Sequence, residues 1–259
     1  MSDAPSKENR QCRSPPLIRI KAWRGLGSHP PASGAPKPQN KGNKTKRSSI
    51  YLAAAAVALL AGSAQAQDFQ PKHKGLVMLN VRVTDVAPTA DDAITTATGA
   101  ASGLHVDVGD SVMPTVGLSY FLTDNVALEV IAGTTKHTVK AQGPGTDVAV
   151  HKTWVLPPVV SLQYHFAPAA KFSPYVGAGL NYMIFYNGED KNGFKVKLDD
   201  GFGVALQAGA DIAIQGPWSA NVDVKKVFFE TDASINGGAL KSKVKLDPWV
   251  VSAGVGYKF

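Results

Sequence analysis

The sequence predicts an all-β protein: an eight-stranded antiparallel transmembrane β-barrel of up-and-down topology, preceded by a signal peptide. Three observations predict it. The last eleven residues are apolar at every second position (Trp249, Val251, Ala253, Val255, Tyr257, Phe259), with Ser252, Gly254, Gly256 and Lys258 between them. Such alternation gives a strand one apolar and one small or polar face, and the aromatic residues at the ends of the apolar face suit a strand that crosses a bilayer. An apolar run near the start has the form of an export signal. The segments between alternate in the same way, and their connections are short and long by turns.

Lys41, Lys44, Lys46 and Arg47 precede an apolar run from Ile50 to Ala61, followed by Ala64-Gln65-Ala66. These are the charged, apolar and small-residue regions of a secretory signal peptide, with cleavage expected after Ala66. The apolar run is too short for a membrane-spanning helix, which needs about 20 residues. Residues 1–40 are a basic, Pro-rich extension with no apolar periodicity, expected to be disordered and read as a start assigned too far upstream. The only cysteine, Cys12, lies there, so residues 67–259 can form no disulfide.

Charge divides at the same point. Eleven of the 27 Lys and Arg, and two of the 20 acids, lie in residues 1–66, which leaves sixteen basic and eighteen acidic side chains in 67–259. The basic balance therefore belongs to the leader, and nucleic acid is excluded as a partner because the remainder has no basic stripe.

Residues 67–259 suffice for one domain. Alternation, bounded by Gly, Asp, Asn and Pro clusters, places strands near 75–86, 112–122, 126–138, 154–166, 173–186, 201–214, 219–231 and 245–259. An even number of antiparallel strands closes a barrel without edges. The first strand turns Val77, Leu79, Val81 and Val83 to lipid and Met78, Asn80, Arg82 and Thr84 inward. The second turns Val116, Leu118 and Tyr120 outward, and Glu129 on the third points in. On the fourth, Val160, Leu162, Tyr164 and Phe166 face out, and His165 is expected as a solvated lumen residue rather than a ligand. The fifth presents Val176, Leu180 and Tyr182 outward, with Gly177, Gly179 and Asn181 inside. The sixth presents Phe202, Val204 and Leu206 outward, with Gln207 and Asp211 inside. A charge on the lipid face at mid-bilayer costs about 2–4 kcal/mol, so Arg82, Glu129 and Asp211 belong inside. The seventh is the least regular: one of the adjacent Lys225 and Lys226 must point outward or lie at an interface. The short connections are 123–125, 167–172 and 215–218; the long ones, 87–111, 139–153, 187–200 and 232–244, are expected as extracellular loops.

Four blocks in order, Pro114 to Glu129, Leu156 to Phe166, Pro174 to Tyr182 and Leu246 to Phe259, resemble the OmpW family of outer-membrane proteins, the likeness covering about residues 74–259. Tyr257 and Phe259 also resemble the C-terminal signature read by the barrel-insertion machinery. The resemblance implies an eight-stranded barrel in the outer membrane of a Gram-negative bacterium. It further implies a narrow lumen that takes up small hydrophobic molecules and releases them sideways into the membrane.

An eight-stranded lumen is nearly filled by side chains, which argues against a wide aqueous pore. Apolar residues of the long connections, Ile94, Leu104, Val106, Val148 and Val150, either line a hydrophobic entrance or pack against the barrel rim. Trp154 and Leu156 are gate candidates, with an aromatic girdle the favoured reading for Trp154. The five histidines of 67–259 are scattered, and there is no Gly-x-Ser-x-Gly elbow, no zinc spacing and no calcium-loop pattern around Asp190-Lys-Asn-Gly193. No enzyme activity, cofactor or metal ion is expected. Glu189, Asp190, Asp199 and Asp200 read as a solvated loop in preference to a divalent-ion bridge to lipopolysaccharide. Partners are outer-membrane lipid, lipopolysaccharide and small hydrophobic solutes. The alternatives are a structural barrel whose loops bind lipopolysaccharide, host surfaces or phage, and a lipocalin-like soluble binder. Replacing Phe259 is expected to lower the amount of folded, heat-modifiable protein in the outer membrane; unchanged levels would remove its assembly role.

Overall fold

The structure is a computed structural model and describes residues 69–259. The basic extension, the signal peptide and its cleavage site lie outside the described residues. The strands are β1 (Val77–Ala87), β2 (Ala93–Thr96), β3 (Ala101–Val108), β4 (Ser111–Phe121), β5 (Val126–Gly133), β6 (Thr135–Gly143), β7 (Thr146–Leu156) and β8 (Val159–His165). They continue with β9 (Phe172–Asp190), β10 (Val196–Leu198), β11 (Gly201–Ala213), β12 (Trp218–Phe228), β13 (Glu230–Ile235), β14 (Leu240–Lys245) and β15 (Trp249–Lys258).

Eight of these strands form a closed antiparallel barrel in the order β1, β4, β5, β8, β9, β11, β12, β15. The first pairs with the last from Met78↔Lys258 to Ala87↔Trp249 and shuts it. Inside hydrocarbon no water can satisfy backbone N–H and C=O groups, so closure is what makes strands admissible there. The outward face is aliphatic between two aromatic belts. Tyr164 and Phe166, with ring centroids 5.2 Å apart, and Trp218, Tyr257 and Phe259 mark the periplasmic belt. Tyr182 and Phe202, 4.6 Å apart, and Trp154 with Tyr186, 6.4 Å apart, mark the outer one. Lys225 points inward and is buried, whereas Lys226 reaches the outer interface with its ammonium 5.1 Å above the Trp249 ring.

The long connections are not loops. They carry a second β-wall, in the order β9, β7, β6, β3, β2, β14, β13, β10, which prolongs the barrel above the membrane. β9, nineteen residues long, belongs to both. The correction has a physical cause: β2 and β10 are only four and three residues long, register shifts break the alternation of β6 and β7, and partners lie far away in the chain, such as Leu240 opposite Thr96. Within the wall Ile94, Val106, Val108, Val150, Ile235 and Val244 turn inward into a common apolar cluster.

Leu206 lies outward near the middle of β11 and is half exposed. Leu206→Arg is expected to destabilise the folded barrel by about 2–4 kcal/mol in a urea refolding titration in lipid; a near-neutral result would contradict its mid-bilayer position.

Candidate functional site

The interior is layered. Above the membrane, the extracellular wall encloses an apolar chamber with about 790 Å³ of unoccupied space, part of it open to solvent. Ile94, Val106, Val139, Val150, Ile235 and Val244 face it. Its polar lining is largely satisfied. The His137 Nδ1–H donates to the Gly109 carbonyl at 2.7 Å, and Nε2 accepts from the Thr135 hydroxyl at 2.9 Å. Burial holds the His137 imidazole below its ordinary pKa, so the ring is neutral.

A second cavity, with about 460 Å³ of unoccupied space that is partly open to solvent, lies beneath, and Val86, Pro157, Met183 and Pro248 line both. Under it the lumen is closed by charge. Arg82 Nη2 donates to Glu129 Oε1 at 2.8 Å, and Arg82 Nε donates to Asn221 Oδ1. Lys225 pairs with Asp223 and lies 3.5 Å from Glu129 Oε2. Tyr175 donates its hydroxyl to Asp223 at 2.9 Å, and Asn221 Nδ2 donates to Asp211 at 2.7 Å. Lys72 completes the chain, donating to Asp211 at 2.6 Å and to Ser173 at 2.9 Å, with His165 Nδ1 also 2.9 Å away. Three cations and three anions are thus paired in a space none of them can leave, and all six are buried. His165 is therefore not a solvated lumen residue: it is buried, held between the Phe121 and Tyr175 rings and against Lys72.

Lys72 enters this network from the segment that precedes β1. That segment is strapped across the periplasmic turns by Gln70 N to Gly216 O (2.9 Å), Lys72 N to Pro168 O (3.0 Å) and Gly75 N to Phe121 O (2.8 Å). Lys258 Nζ donates to the Gln70 carbonyl at 2.7 Å from the other side. A small apolar cluster of Leu76, Met78, Phe121 and Ala127 backs the strap.

The wall is weakest beside the second cavity. β5 pairs with β8 up to Ile131↔Val159, and β6 with β7 from Thr135↔Val155, so the ladder is interrupted over 132–134 and 156–158. Pro157 and Pro158 have no N–H to offer there. On the other side, β4 and β5 end their pairing at Thr115↔Gly133, next to Pro114, and the chain is next tied by Gly109 N to Thr138 O at 3.1 Å. Residues 132–134 are thus unpaired toward β8 and residues 134–137 toward β4, while Ala132 and Gly133 stay paired with β4 and Thr135 to His137 with β7. Ala132 is outward and exposed, yet it also lines the second cavity, so the cavity reaches the wall at this place.

The sequence-derived candidates fall in two groups. Val106 lines the chamber, and Leu104 packs against the same cluster. Trp154 and Leu156 point outward: Trp154 stacks on Tyr186 with the Lys136 ammonium 5.3 Å over its ring, and Leu156 pairs with Ile184. Tyr257 and Phe259 sit edge-to-face, 4.8 Å apart, in the periplasmic belt. The acidic residues near 190 are exposed to solvent and are bonded as well. Asp190 accepts from Val196 N at 3.0 Å and Asp200 from Phe185 N at 2.8 Å, closing the seam between β9 and β10. Hydrogen bonds from Lys191 and Lys136 hold the Glu189 carboxyl down at about 2. Sequence reasoning missed Lys72, Tyr175, Asp223 and the ladder breaks; the double proline was the available signal for the breaks.

The sequence pattern of the OmpW family matches residues 73–259. The chain belongs to the OmpW family. It is 38% identical to an uncharacterized outer-membrane protein, y4mB, of Sinorhizobium fredii, over 81% of this chain and 92% of that one. It is 30% identical to the dibenzothiophene metabolism operon protein PahQ of Pseudomonas aeruginosa, over 61% of this chain and 76% of that one. The crystal structure of the outer membrane protein OprG from Pseudomonas aeruginosa superposes with a TM-score of 0.70 at 28% identity, covering 74% of this chain and 99% of that one. This OmpW-family member is an outer-membrane barrel of a Gram-negative bacterium.

Removing one partner of a buried ion pair leaves the other charge uncompensated and costs about 3–5 kcal/mol. Lys72→Met is expected to lose that much stability in urea refolding, and Lys72→Met/Asp211→Leu to recover most of it. A Lys72→Met loss below about 1 kcal/mol would mean that the strap does not depend on this pair.

Proposed function

We propose that the protein is a passive, non-enzymatic conduit for small hydrophobic molecules, which enter the extracellular chamber and leave sideways through the barrel wall. One observation carries the reading: the apolar chamber and the cavity beneath it rest on a floor of paired buried charges, while the wall ladder is broken beside that cavity at 132–134 and 156–158. An apolar molecule passing straight down would have to separate ion pairs in a desolvated space, at several kcal/mol per ion. Passage sideways meets Ala132, Gly133, Thr134, Leu156, Pro157 and the lipid, and no ion pair among the described residues. The operon name carried by the relative PahQ supports an apolar, aromatic class of solute.

The register on both sides of the break sets Thr134 opposite Leu156, both outward. Opposed strand positions bring Cβ atoms about 4.5–5.5 Å apart, a separation that a slight approach of the strands makes fit for a disulfide. In a Thr134→Cys/Leu156→Cys variant, oxidation is expected to slow uptake of labelled dibenzothiophene into vesicles with a lipopolysaccharide outer leaflet, and dithiothreitol to restore it. Uptake that is the same in both redox states would rule out this exit, and uptake no faster than in protein-free vesicles would rule out the conduit.

A further inference from the structure

At and above the outer aromatic belt, one sector of the wall carries more cations than it pairs. The strand register there sets aliphatic, aromatic and cationic side chains in ascending outward rows. Lowest, within the bilayer, Val130, Val160 and Leu180 stand side by side and are exposed. Leu156 and Ile184 come next, and above them Trp154 lies between Lys136 of β6 and Tyr186 of β9. One step higher, Lys152 lies between Thr138 of β6 and Glu189 of β9. Three ammonium groups, those of Lys136, Lys152 and Lys191, are thus grouped around one Glu189 carboxylate. Both of its oxygens are taken, Oε1 by Lys136 at 2.9 Å and Oε2 by Lys191 at 2.9 Å. Lys152, half-buried beside them, forms no ion pair among the described residues. The neighbouring Asp190 is engaged by His151 and the Val196 N–H instead.

We propose that this sector binds one lipid A molecule of the surrounding lipopolysaccharide, with a phosphate held by the Lys136 and Lys152 ammonium groups and the Thr138 hydroxyl. The order of chemistry along the wall is the order along that ligand: acyl chains against the aliphatic rows, a sugar ring beside Trp154 and Tyr186, phosphate at the lysines. Aromatic belts lie at headgroup level, and ammonium groups just beyond them meet phosphate with charge-assisted hydrogen bonds. The leaflet at this end is the outer one, since the extracellular wall stands on it, and lipopolysaccharide is the lipid of that leaflet. Charge alone does not pick out the sector. Lys241, Lys243 and Lys245 on β14 also point outward, yet Asp232 and Glu230 stand opposite Lys243 and Lys245, and Lys243 pairs with Glu230 at 2.9 Å. That face is close to neutral, whereas the Lys152 sector keeps two positive charges in excess. Glu189 holds Lys136 in place and at the same time repels phosphate, so it limits the affinity of the site. This inference does not depend on the uptake reading above.

The test is native mass spectrometry of the protein in a mild detergent, titrated with diphosphoryl lipid A, with dephosphorylated lipid A or with phosphatidylglycerol. One diphosphoryl lipid A is expected to bind about ten-fold more tightly than the dephosphorylated form, the size of one hydrogen bond to a charged group. Phosphatidylglycerol, which has a phosphate but no sugar ring for Trp154 and Tyr186, should bind less tightly than diphosphoryl lipid A. Lys136→Gln/Lys152→Gln should abolish the preference for the phosphorylated form, and Lys152→Gln alone, which breaks no ion pair, should lower it about three-fold. Lys241→Gln/Lys243→Gln removes the same charge from the other face and should leave binding unchanged, and Glu189→Gln should not weaken it. A preference that survives Lys136→Gln/Lys152→Gln, equal losses in the two double variants, or equal binding of phosphatidylglycerol would overturn the site. Weaker binding in Glu189→Gln would overturn direct contact of phosphate with ammonium, because it would put a bridging cation on that carboxylate.

Discussion

Closure of β1 on β15 is the constraint on which the rest depends. Every backbone polar group at membrane depth must be paired within the protein, and with eight strands that requirement leaves a lumen only wide enough for side chains. Inward residues therefore have little solvent to turn to, and most of their polar groups, though not Arg82 Nη1, are satisfied by one another. Arg82 shows how tightly this is arranged. It stands opposite Gly254 on β15, where a Cβ would lie 2.0 Å from the Val81 carbonyl oxygen and 2.6 Å from Arg82 Cα. On β4, a Cβ at Gly117 would come within 3.0 Å of Arg82 Nη1. Small residues on both neighbouring strands make the volume in which the guanidinium meets Glu129.

A buried ion network is weak evidence for stability, because the desolvation of each ion offsets much of the attraction. Its structural consequence here is specificity. Hydrocarbon outside and a charged lumen inside make the two faces of every strand chemically opposite, and a register slip of one residue would drive Arg82 or Asp211 into lipid. The strap extends the same logic to the end of the barrel: Lys72 supplies the cation that Asp211 lacks on its own strand, and in doing so draws the segment before β1 across the periplasmic turns.

The barrel was legible in the sequence because two strong signals coincide in it. A period of two and the cost of a lipid-facing charge together fix the orientation of Arg82, Glu129 and Asp211, and they send one of Lys225 and Lys226 to the interface, which the structure shows to be Lys226. The extracellular wall was not legible. β2 has four residues and β10 three, too short for periodicity to register, and their partners lie far off in the chain. Lys72 was hidden for a related reason: Gln70-Pro71-Lys72-His73 has no pattern, and Asp211 is 139 residues away. The face of Trp154 followed from alternation, whereas the burial of His165 against Lys72 depends on where the segment before β1 runs, which only tertiary structure decides.

For the proposed conduit, the layering also bears on why transfer would need no energy source. An apolar solute gains roughly 25 cal/mol per Å² on leaving water, and it gains about as much among Val106, Val150 and Ile235 as it would among lipid tails. Movement from chamber to bilayer is then close to neutral, and its direction follows concentration. Any site that held the solute much more strongly than lipid would stop the flow.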